Sequence, residues 1–159
     1  MSRRRDSILM ETTEVSPERT AGEIISKLVQ IGANEINQTF EGGKIVGIKW
    51  MLTIHGQPRL FEMPVRTEGV YRILQSRHKS WDQTRYHDVD KVKAERVAWR
   101  QLLRWIEAQI AMIQTQMARA EEVFLPYLYD PATGTTLFRW MDERRFPALP
   151  AGSDKEIPQ

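Results

Sequence analysis

The sequence predicts an α+β fold in which helices cover one face of a three-stranded antiparallel sheet. Residues 90–123 contain no glycine or proline and repeat apolar side chains every three or four positions, which is typical of one long helix. Residues 35–65 instead alternate apolar and polar side chains, which is typical of strands with one buried face. The predicted order is an N-terminal helix, a three-stranded meander, and then helices that include the long central one.

The composition limits the classes of protein to which the chain can belong. The chain has 159 residues, of which 41% are hydrophobic and 28% charged, as in a globular domain. We expect one domain over residues 15–149, with flexible ends at 1–14 and 150–159. The chain lacks a long apolar run and the apolar core of a signal peptide, so we expect a cytoplasmic protein without a membrane partner. Without cysteine, it has no disulfide, thiolate metal ligand or cysteine nucleophile.

The N-terminal helix has a clear beginning and end in the sequence. Ser16 offers a side-chain acceptor to the first free amides, and Pro17 suits the first helical position because it has no amide to lose. Glu18 complements the positive end of the helix dipole. Gly32 follows the last apolar position and is expected to end the helix.

Two turns define the three expected strands. Gly42 and Gly43 permit positive φ between strands at about 35–40 and 46–54. The sequence His-Gly-Gln-Pro then turns the chain into a third strand at about 59–65. The middle strand has the strongest alternation, with an apolar face made of Val46, Ile48, Trp50, Leu52 and Ile54.

The second half of the chain is expected to be mainly helical. A short helix over about 67–75 precedes a polar connector, residues 76–87, and then the central helix. Asp88 or Asp90 is the expected N-cap of the central helix, because aspartate accepts hydrogen bonds from free helical amides. Residues 124–129 are apolar and aromatic, so we expect them to fold back onto the core.

No catalytic residue, metal site or cofactor is predicted. His78, His87 and the nearby aspartates lie in the polar connector region, and their spacing matches no established pattern of metal ligands. The segment 41–44 is a glycine-containing turn too short to cradle a phosphate group. We therefore expect a non-enzymatic protein without a cofactor.

A basic ridge follows one face of the central helix. Steps of three, four and four residues align Lys93, Arg96, Arg100 and Arg104. Like charges at this spacing repel by roughly 0.2–0.5 kcal/mol per pair, so carboxylates or a bound anion should offset them. Glu95 and Glu107 are the nearest carboxylates in the sequence, and both explanations stay open at this point.

The connector alternates cations with aromatic residues. Its candidate binding residues are Arg77, Lys79, Trp81, Arg85 and Tyr86. Cations neutralise phosphates and exposed rings stack on unpaired bases, a combination found in proteins that bind single-stranded nucleic acid. The alternative is a surface loop in which Trp81 and Tyr86 pack back onto the core.

Three segments carry a resemblance to a family. LFEMPVRTEGVYRIL, ERVAWRQLLRWIEAQIAMI and EEVFLPYL resemble an uncharacterised family of small bacteriophage and prophage proteins, and the likeness covers most of residues 15–149. This resemblance implies no particular activity. The order of helix, three-stranded meander and helices is also similar to the core of single-strand annealing proteins, many of them phage-borne, and this architectural likeness implies the handling of nucleic acid.

Two functions are therefore predicted as alternatives. The first is a non-enzymatic, phage-type accessory protein that binds nucleic acid, preferentially single-stranded, through the ridge and the connector. The second is a protein-interaction or assembly module of a phage or host-defence complex, with a protein partner or a second copy. Five tryptophans and seven methionines leave room for an apolar contact surface, with Lys49, Met51 and Trp140 as its candidates.

Overall fold

The computed structural model describes residues 7–149 and confirms the α+β fold. None of the helices in this range is long and apolar enough to cross a membrane. A three-stranded antiparallel sheet has the order β1-β2-β3, and a small second hairpin pairs β4 with β5. The elements in chain order are α1 (Pro17–Gln30), β1 (Asn34–Glu41), β2 (Lys44–Ile54), β3 (Gln57–Pro64), α2 (Glu68–Ser76), α3 (His87–Gln114), α4 (Ala120–Phe124), a 3₁₀ helix (Leu125–Tyr127), β4 (Tyr129–Asp130), β5 (Thr135–Thr136) and α5 (Leu137–Glu143).

Helix α1 begins and ends where the sequence predicts. The Ser16 hydroxyl accepts a hydrogen bond from the Arg19 amide at 3.3 Å. At the other end, Gly32 has a φ of +88°, a conformation that glycine adopts without steric cost. This turn lets the Ala33 amide donate to the Leu28 carbonyl at 3.1 Å, which satisfies an acceptor at the helix end.

The core lies between one face of the sheet and the helices α1 and α3. In β2 the predicted alternation holds from Ile48 to Thr53: Trp50 and Leu52 are buried, Met51 is half-buried and Thr53 is exposed. At the start of the strand the prediction is wrong, because a shift in the pairing with β1 buries Ile45 and leaves Val46 half-buried. The inward-facing residues of the sheet meet apolar side chains from both helices. The main members of this core are Ala21, Ile24, Leu28, Ile48, Trp50, Leu52, Phe61, Met63, Trp99, Leu103, Ile106, Ile110 and Phe124.

The long central helix, α3, ends earlier than the sequence predicts. Gln116 adopts a φ of +59°, and its amide donates to the Ile113 carbonyl at 3.1 Å. The next amide, of Met117, donates to the Met112 carbonyl at 2.9 Å, which completes a Schellman turn. Helix α3 therefore ends at Gln114, although no glycine or proline marks this position.

The chain after α3 folds back onto the sheet, as the apolar character of residues 124–129 predicts. Phe124 is 0% exposed and directs its ring against Trp50, with centroids 5.3 Å apart and an interplanar angle of 80°. It also meets Trp105 of α3 edge-to-face, with ring centroids 6.0 Å apart. Leu128 then forms a backbone bridge with Phe61 of β3, which places the β4-β5 hairpin beside the sheet.

Truncation of Phe124 tests this arrangement. Because the side chain is fully buried among aromatic rings, Phe124→Ala should lower the free energy of unfolding by about 3–5 kcal/mol. As a matched control, Phe40→Ala on β1 removes a ring that is 56% exposed and should cost less than about 1 kcal/mol. Urea denaturation of the two variants measures the difference. Equal losses would contradict the fold-back.

Candidate nucleic-acid interface

The connector between α2 and α3 is held at its base by a buried carboxylate. Asp90 is 5% exposed, and its Oδ2 accepts hydrogen bonds from Gln75 Nε2 and His78 Nε2, each at 2.9 Å. Tyr86 stacks on the His78 ring with centroids 4.2 Å apart. The connector is thereby fastened to both of the helices that it joins.

The prediction that Asp88 or Asp90 is the N-cap of α3 is wrong. Tyr86 occupies the N-cap position of α3, and no side chain forms a capping hydrogen bond there. Asp90 instead lies inside the first turn and faces the connector, because a buried carboxylate is stable only where donors such as Gln75 and His78 surround it.

The two aromatic residues of the connector differ in exposure. Trp81 is 73% exposed, and the Lys79 ammonium lies 5.0 Å from its ring centroid. Tyr86 is half-buried against His78, and the Arg85 guanidinium lies 5.6 Å from the Tyr86 ring centroid. Within residues 7–149, neither Lys79 nor Arg85 forms an ion pair with a carboxylate.

Arg77, at the start of the connector, is already bound to a carboxylate. It forms an ion pair with Glu11, and about four-fifths or more of each side chain is shielded from water. Burial acts to raise the pKa of the Glu11 carboxyl, but the hydrogen bond and charge of Arg77 outweigh it, so that this pKa lies below its ordinary value of 4.5. The charge of Lys93, a half-buried ridge residue, lowers the same pKa further. This ion pair fastens the N-terminal segment to the connector.

The three arginines of the ridge are paired with carboxylates. Arg96 Nη1 lies 3.3 Å from Glu14 Oε2, and Arg104 Nη1 lies 2.7 Å from Glu107 Oε2. Arg100 Nη1 lies 3.0 Å from Glu23 Oε2. The sequence left two explanations open, pairing with carboxylates of the chain or a bound anion. In the structure, carboxylates of the chain pair with the three arginines. Glu107 takes part as expected, whereas Glu95 binds Lys44 at 2.7 Å instead.

Arg100 is the most buried arginine of the ridge. Its side chain is 12% exposed, and its Nη1 also lies 3.4 Å from the hydroxyl oxygen of Thr20, a fully buried residue of α1. The Arg100 Nε is buried without a hydrogen-bond partner in the described part of the chain. Neither Thr20 nor Glu23 is predicted from the sequence as a partner of the ridge, although a threonine on the apolar face of α1 indicates such a buried contact.

A second surface lies on the outer face of the sheet. An open groove of about 680 Å³ runs between the sheet and the C-terminal hairpin. Met51 and Trp140, predicted from the sequence to share a contact surface, both line it. Lys49 lies nearby, with its ammonium 4.5 Å from the ring centroid of Tyr129, a groove residue. Leu60, Leu128 and Leu137 also line the groove, and the sequence pattern does not predict them as part of it.

The burial of Arg100 predicts unequal effects of two arginine substitutions. Arg100→Ala should lower the free energy of unfolding by about 1–3 kcal/mol, because it removes the ion pair with Glu23 and leaves the buried Thr20 hydroxyl without its donor. Arg104→Ala removes an exposed pair within one helix and should cost about 0.5 kcal/mol or less. Urea denaturation of both variants is the test, and an equally small loss for Arg100→Ala would show that the ridge is solvated.

The ion pair between Glu11 and Arg77 predicts a dependence of stability on pH. Because the pKa of Glu11 is lowered by folding, its contribution is fully present above about pH 4.5 and is lost as the pH falls through the folded pKa. The difference in free energy of unfolding between the wild type and Glu11→Gln should therefore shrink in acid. Denaturation at a series of pH values measures it, with Glu14→Gln, whose side chain is 89% exposed, as the control. A difference independent of pH would contradict the assignment.

Among residues 7–149, no group of three or more histidine, aspartate or glutamate side chains is arranged to hold a metal ion. His78 and Asp90 face each other, whereas His87 Nδ1 lies 2.5 Å from the Tyr71 hydroxyl. Comparison of the chain with protein-family models, with curated proteins and with solved structures gives no match.

Proposed function

We propose that the protein is a non-enzymatic, phage-type accessory protein that binds single-stranded nucleic acid through its connector. The observation that carries this proposal is the exposure of Trp81, at 73%, beside Lys79 and Arg85. An indole ring can stack on any base, while the two cations can neutralise neighbouring phosphates. The architectural likeness to single-strand annealing proteins supports nucleic-acid binding, and the resemblance of three segments to phage proteins supports only the phage-type class.

The chemistry of the connector favours single strands over duplexes. In a duplex each base is already stacked between its neighbours, so an exposed indole ring gains a stacking partner only from an unpaired base. The formal net charge of the chain is only +2, which is small for a protein that binds duplex DNA through its phosphates alone. A contact of a few phosphates and one or two bases suits this charge.

The connector is also better suited to binding than the ridge. Arg96, Arg100 and Arg104 would each have to leave a carboxylate before binding a phosphate. Lys79 and Arg85 lie over aromatic rings and form no ion pair with a carboxylate among the described residues. Neither of them therefore has to break an ion pair before it binds a phosphate. The hydrogen bonds of Asp90 hold the base of the connector in place, so less conformational entropy is lost on binding.

Titration of a labelled oligonucleotide tests the proposal. An unstructured oligonucleotide of about 15 nucleotides should bind at low salt, and its affinity should fall as the salt concentration rises from about 50 to 200 mM. The matching duplex, titrated in parallel, should bind more weakly because its bases are stacked. No binding of the single strand at about 50 mM salt, even at tens of micromolar protein, would overturn the proposal.

Substitutions in the connector should separate stacking from phosphate contact. Trp81→Ala should weaken single-strand binding by about 1–3 kcal/mol with little change in the salt dependence. Lys79→Ala and Arg85→Ala should each reduce the slope of log affinity against log salt by about 0.7, the value for one phosphate contact on a single strand. Fluorescence anisotropy at several salt concentrations measures both quantities.

Trp140→Ala is the matched control, since Trp140 is 40% exposed but belongs to the groove on the sheet. Its affinity for the oligonucleotide should equal that of the wild type. A loss with Trp140→Ala and none with Trp81→Ala would place the binding surface on the sheet and contradict the assignment to the connector.

A further inference from the structure

The groove on the outer face of the sheet is apolar and is not used by the proposed nucleic-acid interface. Its floor is formed by Met51 of β2 and Leu60 of β3, which are paired neighbours in the sheet. Leu128, Leu137 and Trp140 contribute to its wall. Its volume of about 680 Å³ lies within the range of ligand-binding sites.

The wall of the groove is fixed by backbone hydrogen bonds. Leu128 bridges Phe61 of the edge strand β3, and the Leu137 amide donates to the Leu128 carbonyl at 2.8 Å. Thr136 caps helix α5 by accepting from the Arg139 amide at 3.3 Å. The groove therefore exists before any partner binds, which lowers the entropic cost of binding.

The groove carries no surplus of either charge. Among the described residues, Arg59 and Asp130 are the charged residues that line it. Arg59 lies opposite Leu52 in the sheet, so its side chain belongs to the core-side face of the edge strand. Asp130 accepts hydrogen bonds from the Ala132 amide at 2.9 Å and from the Thr133 hydroxyl at 3.0 Å. An uncharged, apolar occupant therefore suits the groove better than an acidic or a basic one.

An uncharged, apolar segment follows helix α5. Residues 146–149 have the sequence Phe-Pro-Ala-Leu, and all four are exposed. Leu149 is 85% exposed, the highest value for a large hydrophobic side chain in the described part of the chain. Pro147 favours an extended backbone, and extended segments with proline bind in grooves lined by aromatic rings, such as that of Trp140.

This segment is turned away from the groove of its own chain. The Phe146 amide donates to the Met141 carbonyl at 2.8 Å, and Phe146 has a φ of +50°, so the chain leaves α5 in a fixed direction. The Phe146 ring packs on Phe138, with ring centroids 6.0 Å apart. Phe138 and the groove residue Trp140 are two positions apart and point to nearly opposite sides of the helix. The segment therefore begins on the side of α5 that does not face the groove.

We infer that residues 146–149 of a second copy of this chain bind in the groove, with Leu149 against Met51 and Leu60, and that the two copies exchange these segments. Helix α5 carries the groove residue Trp140 and ends at the segment, so one twofold axis can form both contacts at once. Two such short segments should bury less than the roughly 1,200–2,000 Å² of a stable interface, so the dimer should be weak and reversible. The inference is independent of nucleic-acid binding, because the connector contributes no residue to the groove.

Analytical ultracentrifugation of the full chain tests the inference. The chain should change reversibly from monomer to dimer between about 1 µM and 1 mM. Leu149→Glu and Met51→Glu lie on separate elements, and each should raise the dissociation constant of the dimer about tenfold or more, because each places a charge in the same apolar contact. Leu9→Glu is the matched control, since it charges another exposed leucine and should leave the dissociation constant unchanged. Circular dichroism of Leu149→Glu should show a folded monomer, because this side chain supports no core contact.

Engineered cysteines identify the occupant of the groove, because the chain contains no cysteine of its own. A chain with Leu149→Cys, mixed with a chain carrying Met51→Cys, should form a disulfide between the two copies, since this bond needs Cα atoms within about 7 Å. Asn37→Cys is the control, because Asn37 is exposed, lies opposite Lys49 in the sheet and does not line the groove. It should react with Leu149→Cys far more slowly.

Three outcomes would overturn the inference. The chain could remain monomeric up to about 1 mM. A chain carrying both Leu149→Cys and Met51→Cys could form its disulfide within one copy, in which case its own segment fills the groove. Finally, the dimer could persist in Leu149→Glu, or Leu149→Cys could react equally with Asn37→Cys and Met51→Cys, and either result would place the contact between copies elsewhere.

Discussion

The burial of Trp50 at the centre of the sheet is the constraint on which the rest of the structure depends. The ring is 0% exposed, is stacked on Phe61 at 5.7 Å and meets the edge of Phe124 at 5.3 Å. Its Nε1 is buried without a hydrogen-bond partner in the described residues, which costs about 1–3 kcal/mol that the aromatic packing must offset. Because Phe124 follows the central helix, this contact also brings the C-terminal hairpin beside β3 and so creates the groove.

Burial also divides the cations of the ridge and the connector into two groups with different roles. Arg100 lies between α1 and α3, where leaving Glu23 would be costly, so its charge serves the packing of two helices. Lys79 lies on the connector in contact with the exposed ring of Trp81, where its charge remains available to a ligand. A helical spacing of basic residues is therefore insufficient to identify a binding surface, since carboxylates from distant segments decide which charges remain free.

Features set by neighbouring residues could be predicted from the sequence, and features set by distant contacts could not. The cap at Ser16, the stop at Gly32 and the alternation along β2 from Ile48 onwards follow from local chemistry, and all three are present. The end of α3 could not be predicted, because Gln116 adopts the left-handed conformation at a position where glycine usually indicates the end of a helix. Glu23 could not be assigned to Arg100 because 77 residues separate them, and local composition does not distinguish the exposed Trp81 from the packed Tyr86.

The central claim is that the connector, and not the ridge or the groove, contacts single-stranded nucleic acid. Nuclear magnetic resonance of the indole N–H groups tests it most directly, because each of the five tryptophans reports on a different part of the molecule. Addition of an unstructured oligonucleotide should shift the Trp81 signal and leave those of the buried Trp50 and Trp99 unchanged. An unshifted Trp81 signal, with changes at Trp140 instead, would contradict the account.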